Sequence, residues 1–381
     1  MKNLFYFGLE PLKERYTYQL SKQWIPNSFK KYDVNFTTIE GSKESGKISV
    51  GSVLDAFGRG RYSMNQCVNF MEKISNGEVK DGDIVYLQDF WTPGIEAVFY
   101  MLDLYKIKIK LYSMLHAQSV DEYDFTHNMK NWIRHFELGI DSRHDGIFVG
   151  STIHKEQLRN AGFKAPIHVV SLPIDYNSVY LTKGIDTLLK KRKQVIFTSR
   201  LDKEKNPYFM LKVAEDFLNR NPDYDFIITT SGDYFKSSIE GFVDFMENEA
   251  KKNPRLILKN NLSKEDYYNE LIKSQIQFNS SLQDYVSWTL LESTLFGCDV
   301  CYPNFRSFPE ILDDNRMYKA FDVKSAVGLL ESISKEPKTH FRISETSDLG
   351  RRLIARIIVE GAGEKEFNIW QEEEFIKNIL K

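Results

Sequence analysis

Cysteine is scarce in this chain, and the three present, Cys67, Cys298 and Cys301, are too few and too scattered for a disulfide framework. Cys298 and Cys301 have C-x-x-C spacing, but no second pair accompanies them and they fall in a run that reads as buried strand. That setting favours core packing over metal or redox chemistry. Long apolar runs are missing too. No stretch reaches the length that spans a bilayer, and the opening MKNLFYFGLEPLKERYTY turns charged too early for an export signal. These absences predict a reducing, cytoplasmic setting. Net charge is close to nil, −2 from 51 basic and 53 acidic residues, which argues against a generally basic, nucleic-acid-coating surface but leaves a local patch open. No internal repeat, low-complexity tract or dedicated metal-ligating cluster of Asp and Glu occurs. What is there is 381 residues, 42% hydrophobic and 27% charged, an ordinary globular composition with length for two domains rather than one core.

The chain is organised around 277–310, QFNSSLQDYVSWTLLESTLFGCDVCYPNFRSFPE. It reads as a buried strand from Ile276 to Ser280, a polar loop carrying Asp284, a helix from about Trp288 to Phe296, a Gly297 stop, a second short strand and Glu310. Ser287 suits the N-cap, while Trp288, Leu291, Leu295 and Phe296 recur on one apolar face. Asp284 precedes Glu292 by eight residues, close enough to share a pocket at the carboxyl end of the strand, where open α/β sheets bind ligands. Upstream, VIFTSRLDKEKNPYFMLKVAEDF gives a strand, a loop with Arg200 and Lys205, and a helix from Pro207 with Leu211, Ala214 and Leu218 on one face. The two cations are either incidental surface charge or holders of an anion. A strand from Phe226, a turn at Ser231, Gly232 and Asp233, and the strand RLILK follow. Asn260 and Asn261 then lead to a helix capped by Ser263.

The first half also alternates strands and helices. Leu4 to Phe7 reads as a strand, Pro11 as the start of a helix running through Leu20 and Trp24, and Val34 to Ile39 as a second strand. Ser63 and Gln66 form a capping-box pattern, with Met64, Cys67, Val68, Met71 and Ile74 at helical spacing beyond it. Arg59 and Arg61 would then stand just before a helix amino terminus, either as an anion site or as a solvated turn. A strand Ile84 to Gln88 leads into Asp89, Phe90 and Trp91, and a helix begins near Pro93. KIKLYSML ends in His116, Ala117 and Gln118. GIFVGSTIHKEQLRNAGF gives a strand, a Ser151 cap, a helix and a Gly162 stop. The polar tract from Tyr176 to Lys193 reads as a hinge whose KKRK run is a solvated face. In the terminal FNIWQEEEFIKNIL, Phe367, Trp370, Phe375 and Ile379 mark an amphipathic helix.

Asp284, Glu292, Gly297 and Glu310, following Arg200 and Lys205 in this order, resemble the acid-x7-Glu signature of retaining GT-B glycosyltransferases, the class that contains sucrose-phosphate and glycogen synthases. The first acid is usually Glu, and the usual Gly-Phe-Gly after it is Tyr285, Val286, Ser287 here. The resemblance implies an α/β fold of two doubly wound parallel-sheet, Rossmann-like domains facing a cleft. Residues 1–175 would bind acceptor, 194–360 would bind donor, and a helix over 364–381 would return to the first domain. Arg200 and Lys205 would hold the donor diphosphate, Glu292 its ribose, and Asp284 with Tyr285, Val286, Ser287 and Trp288 the sugar, while Asn260 would border the base. His116, Asp89 and Gln118 would line the cleft, with His116 among the catalytic candidates and Arg59 and Arg61 toward the acceptor.

The implied reaction moves a sugar from a nucleotide-diphosphate sugar, UDP-sugar favoured, to a hydroxyl of a glycan or lipid-linked saccharide, with no metal and no cofactor. Other acceptors and activities stay open. A hydroxymethylated DNA base flipped toward Tyr62, Phe90 or Trp91 is one. A sugar-nucleotide epimerase and a non-catalytic sugar-nucleotide-binding protein are others.

Overall fold

Runs such as KNLFYF and DFIIT, with little alternation, suit parallel strands covered on both faces by helices. Both become such strands in the computed structural model, which describes residues 2–12, 15–42, 56–116, 119–230, 232–361 and 365–381. The chain divides into two units, one of residues 1–174 with 348–381 and the other of residues 175–347. The returning segment therefore starts within the helix Phe341–Glu360, upstream of the 364 read from the sequence.

In the first unit, β1 (Lys2–Phe7), β2 (Val34–Thr38), β3 (Ile84–Leu87), β4 (Lys110–Met114), β5 (Gly146–Val149) and β6 (Ile167–Val169) form one sheet. Their order is β2-β1-β3-β4-β5-β6, and every pair is parallel. In the second unit, β7 (Arg192–Phe197), β8 (Asp225–Thr229), β9 (Leu256–Lys259), β10 (Ser274–Phe278), β11 (Asp299–Asn304) and β12 (Met317–Lys319) form the other. It is ordered β12-β11-β10-β7-β8-β9 and is again all parallel. The winding reverses between β1 and β3 in one sheet and between β7 and β10 in the other. Adjacent loops diverge there and leave a crevice at the strands' carboxyl ends. Phe5, Phe7, Val85, Leu87 and Ile147 anchor the first core, and Val195, Phe197, Phe226, Ile276 and Cys301 the second. All three cysteines are buried and free. Among the described residues no helix is long and apolar enough to cross a membrane.

Three local expectations need correction. The first helix does not start at Pro11: it starts at Tyr16 and passes through a π turn, Leu20–Trp24, into Ile25–Phe29. Pro26 lacks an N–H and its ring crowds the preceding turn, which the wider π turn accommodates. Ser63 caps nothing, because the helix runs Ala56–Ser75. The Ser63 hydroxyl is buried without a partner among the described residues, and the Gln66 amide instead reaches the carbonyls of Gly8 at 3.0 Å and Ile39 at 2.8 Å. The KKRK run is exposed at all four residues, as a solvated face is, and it also closes structure beneath it. Arg192 and Lys193 open β7, and the Lys191 ammonium donates to the carbonyls of Leu271, Ser274 and Phe296 at 3.2, 2.7 and 2.9 Å, closing two helix ends. The terminal amphipathic helix is shorter, Glu373–Leu380. Phe367 and Ile369 pair their backbones with Val169 instead, satisfying the edge of β6.

Candidate functional site

Arg200 and Lys205 lie in the loop after β7, and Asp284 lies in the loop after β10. These are the neighbouring strands on either side of the reversal, so Lys205 and Asp284, 79 residues apart in sequence, meet there. Lys205 ends a 3₁₀ turn, Lys203–Lys205, and Asn206 follows it in the left-handed region (φ 49°) before Pro207 opens the next helix. This sharp exit turns the Lys205 side chain inward. Its ammonium donates to Asp284 Oδ1 at 2.7 Å and to Ser281 Oγ at 3.0 Å, and only 8% of the side chain is exposed. Arg200 is the opposite case: 42% of its side chain is exposed, and its guanidinium contacts Asp202 Oδ2 at 3.2 Å and Glu204 Oε1 at 2.6 Å. One cation is fixed and the other can swing.

Glu292 sits in the helix Trp288–Leu295, with 4% of its side chain exposed. The Lys264 ammonium and the Tyr268 hydroxyl donate to Oε1 at 2.6 and 3.2 Å, and the Tyr267 hydroxyl donates to Oε2 at 2.8 Å. Burial first, and the charge of Glu292 second, push the Tyr267 phenol well above its ordinary value, which keeps it a donor. Lys264 opens the helix Lys264–Lys273 behind a Ser263 cap that accepts from the Asp266 N–H. The cap is legible in the sequence, whereas the roles of Lys264, Tyr267 and Tyr268 are not. They lie 24–28 residues from Glu292, and no local pattern links them to it.

The loop from Asp284 to Ser287 is packed. Tyr285, Val286 and Ser287 are buried, and the Ser307 hydroxyl donates to the carbonyls of Tyr285 and Asp284. Ser287 holds the N-cap position without giving a capping bond; its hydroxyl pairs with that of Thr289 at 2.7 Å. Trp288 is half-buried. The Arg306 guanidinium stands 5.7 Å from the Tyr285 ring centre, with its backbone in the left-handed region (φ 50°). Asn260 is exposed, and its side-chain amide donates to the Asp233 carbonyl at 2.7 Å, tying the loops after β8 and β9 together.

In the first unit the reversal between β1 and β3 gathers a second set. The Tyr6 hydroxyl donates to Gln88 Oε1 at 3.1 Å, and His116 Nε2 lies 3.0 Å from the Gln88 carbonyl, which assigns the ring proton to Nε2 and leaves Nδ1 as acceptor. Burial holds the His116 pKa below its ordinary value. Arg59 and Arg61 do not stand ahead of a helix amino terminus; both lie inside Ala56–Ser75, Arg59 in its first turn and Arg61 beyond it. Arg59 is buried against Asp89 at 3.1 Å, and Arg61 is exposed. Asp89 also accepts from the Trp91 N–H at 3.1 Å. Tyr62 and Phe90 are core residues, Phe90 stacking on His144 at 5.0 Å, so neither is available to receive a base. Trp91 is half-buried, 6.0 Å from the exposed Trp132. Gln118 lies outside the described residues. Among the described residues no group of three or more His, Cys, Asp or Glu side chains could hold a metal ion.

No protein-family model and no curated protein sequence matches the chain. Solved structures do. The chain is similar to a sucrose-phosphate synthase from Thermosynechococcus elongatus, with a TM-score of 0.61 and 11% identity over 100% of this chain and 99% of that one. It is similar to HepE of Anabaena in complex with UDP-glucose, with a TM-score of 0.58 and 12% identity over 100% and 99%. Staphylococcus aureus TarM, in a complex that includes UDP, aligns with a TM-score of 0.52 and 13% identity; the alignment covers 84% of this chain and spans only 59% of TarM. At such identities the likeness establishes the fold. Two parallel six-stranded sheets with flanking helices make this a GT-B fold, the fold of those glycosyltransferases.

Proposed function

We propose that the chain is a retaining glycosyltransferase that takes a sugar from a nucleotide-diphosphate sugar, UDP-sugar favoured, and attaches it to a hydroxyl of a glycan or lipid-linked saccharide. The observation that carries this reading is the pairing of Lys205 with Asp284 across the carboxyl ends of β7 and β10, with Arg200 in the same loop as Lys205 and Glu292 in the helix that follows Asp284. The UDP-glucose of the HepE structure and the UDP of the TarM structure support the choice of donor.

In this reading the 175–347 unit binds the donor and the other unit the acceptor. Charge grows on the diphosphate as the glycosidic bond breaks, and a buried, fixed ammonium stabilises that charge more than it stabilises the ground state. Lys205 meets this description, and Arg200 follows the phosphate by exchanging Asp202 and Glu204 for it. Glu292 takes the ribose hydroxyls, Asp284 and the packed Tyr285–Val286–Ser287 loop the sugar, and Asn260 the edge of the base. Transfer on the face from which the phosphate leaves lets its oxygen accept the acceptor's proton. The protein's own cations supply the stabilisation, and no metal or cofactor is invoked.

A saccharide acceptor is preferred to a DNA base, because the arginine pair that favoured DNA is inside a helix and two of the three aromatics that would receive the base are core. A screen of UDP-, GDP- and ADP-sugars for slow hydrolysis, followed by mass spectrometry of acceptor mixtures, tests the reading. A new glycoside with the donor's anomeric configuration supports it. An epimerised sugar nucleotide, or binding without turnover of any donor, overturns it in favour of an epimerase or a binding protein.

A further inference from the structure

Both oxygens of Glu292 are already in use. An ionised carboxylate offers about four lone-pair sites, and three are occupied by Lys264, Tyr268 and Tyr267 in a pocket where 4% of the Glu292 side chain is exposed. A ribose diol donates two O–H bonds, so at least one existing donor must leave before both hydroxyls can bind. The two phenols are poorly placed to leave. Tyr268 is fully buried, and its ring packs on Tyr267 at 5.5 Å and on Phe296 at 5.0 Å. Lys264 is different: it sits on a flexible four-carbon stem, 15% of its side chain is exposed, and it occupies the first turn of its helix, where the helix dipole disfavours a cation. Glu292 holds it there, together with the faces of Tyr267 and Tyr268, at 4.9 and 4.6 Å.

We propose that Lys264 and the donor's ribose compete for Glu292, so that Lys264 sets how strongly this protein requires a ribose diol. The proposal rests on the nucleotide-sugar reading of this unit. When the nucleotide binds, the ammonium gives up Glu292, and the two ribose hydroxyls take its place beside the tyrosines. The gain from the diol is therefore reduced by the loss of a short, part-buried, charge-assisted hydrogen bond. Removing the lysine exposes the full preference of the carboxylate for the diol.

The test is titration of the full chain by calorimetry, first with UDP, GDP and ADP, then with whichever binds against its 2′,3′-dideoxy form. Lys264→Met and Lys264→Gln are expected to raise the ribo-to-dideoxy affinity ratio at least tenfold over the parent. Lys264→Arg, which keeps the charge, should leave that ratio near the parent's, and adding Glu292→Gln to either neutral variant should abolish the gain. Thermal unfolding confirms that each variant is folded, and the glutamine variant serves if the methionine one is not. An unchanged ratio in both neutral variants, or an equal fall in affinity for both nucleotides, overturns the competition while leaving the nucleotide-sugar reading standing. Failure of the parent and every variant to bind any of the three diphosphates overturns that reading, and the competition with it.

Discussion

At the scale of single residues, the two cations differ in what their loss does. Lys205 is buried and bonded to Ser281 and Asp284, whereas Arg200 is largely a surface group whose ion pairs are worth at most about 1 kcal/mol. If both meet the leaving diphosphate, Lys205→Ala and Arg200→Ala should each lower kcat by about 10²-fold or more. Steady-state kinetics decides this, since a rise in KM alone would make them binding groups only. Lys205→Ala should also lower the melting temperature, because Asp284 then loses its cation, and Arg200→Ala should not. Glu292→Ala should weaken donor binding by about 1.5–3 kcal/mol, the range for charged hydrogen bonds. It also takes the shared acceptor from the Tyr267 and Tyr268 hydroxyls, so a stability loss of about 1–3 kcal/mol accompanies it, while the Lys264 ammonium turns on its flexible stem toward water. Donor titration and denaturant unfolding separate the two losses, and unchanged affinity in a folded variant would remove Glu292 from the site.

At the scale of elements, local signals succeed where nothing tertiary competes. Ser151 and Ser263 cap their helices through the N–H groups of His154 and Asp266, and Gly297 ends its helix at φ 71°. Gly350 shows the tertiary constraint. It lies in the helix Phe341–Glu360, and a Cβ there would stand 1.9 Å from the Val170 carbonyl oxygen, just past β6. Gly350→Ala is therefore expected to cost about 3 kcal/mol, the upper part of the usual overpacking range. Gly328, also helical, has nothing within 4 Å of its added Cβ, so Gly328→Ala should instead stabilise by about 0.5–1 kcal/mol. Urea unfolding of the two variants checks the contrast, and a neutral Gly350→Ala would mean that the helix can lift off the strand end.

At the scale of the whole molecule, buried histidines make stability depend on pH. Burial pushes His144 and His168 down to about 4, and neither ring nitrogen of His168 has a hydrogen-bond partner among the described residues. Their folded values lie below the unfolded value of about 6.5, so the unfolded chain takes up protons first. The stabilisation is complete above about pH 6.5 and is lost as pH falls toward 4, by up to about 3 kcal/mol for each histidine. Asp124 acts in the opposite sense, since burial raises its carboxyl to about 6 and that group favours the folded state as pH falls. Two histidines outweigh one aspartate, so the melting temperature should fall from pH 7 to pH 4.5. His168 lies between Phe148 and Phe367, with ring centres 5.7 and 6.2 Å away, and His168→Phe should flatten the dependence. Scanning calorimetry at both pH values tests this; an equal slope in parent and variant would assign the loss to other groups.

The alternation of strands and helices and the loops that carry Arg200, Lys205 and Asp284 are legible in the sequence, because apolar runs, caps and glycine stops are settled within about a dozen neighbouring residues. The two-sheet fold class came with the family resemblance of the acid and cation motifs. Only the tertiary structure decided what those side chains touch. It put Lys264 and two tyrosines on Glu292, Asp284 on Lys205, and Asp89 on a buried Arg59 inside a helix that had been expected to begin beyond it. It also drew Phe367 and Ile369 out of a helical pattern to complete the edge of β6. The reason is physical: helix and strand formation depends on neighbours along the chain. A buried charge or an unpaired strand edge is satisfied by whichever partner the packing of the sheet brings near, and sequence spacing carries no record of that partner.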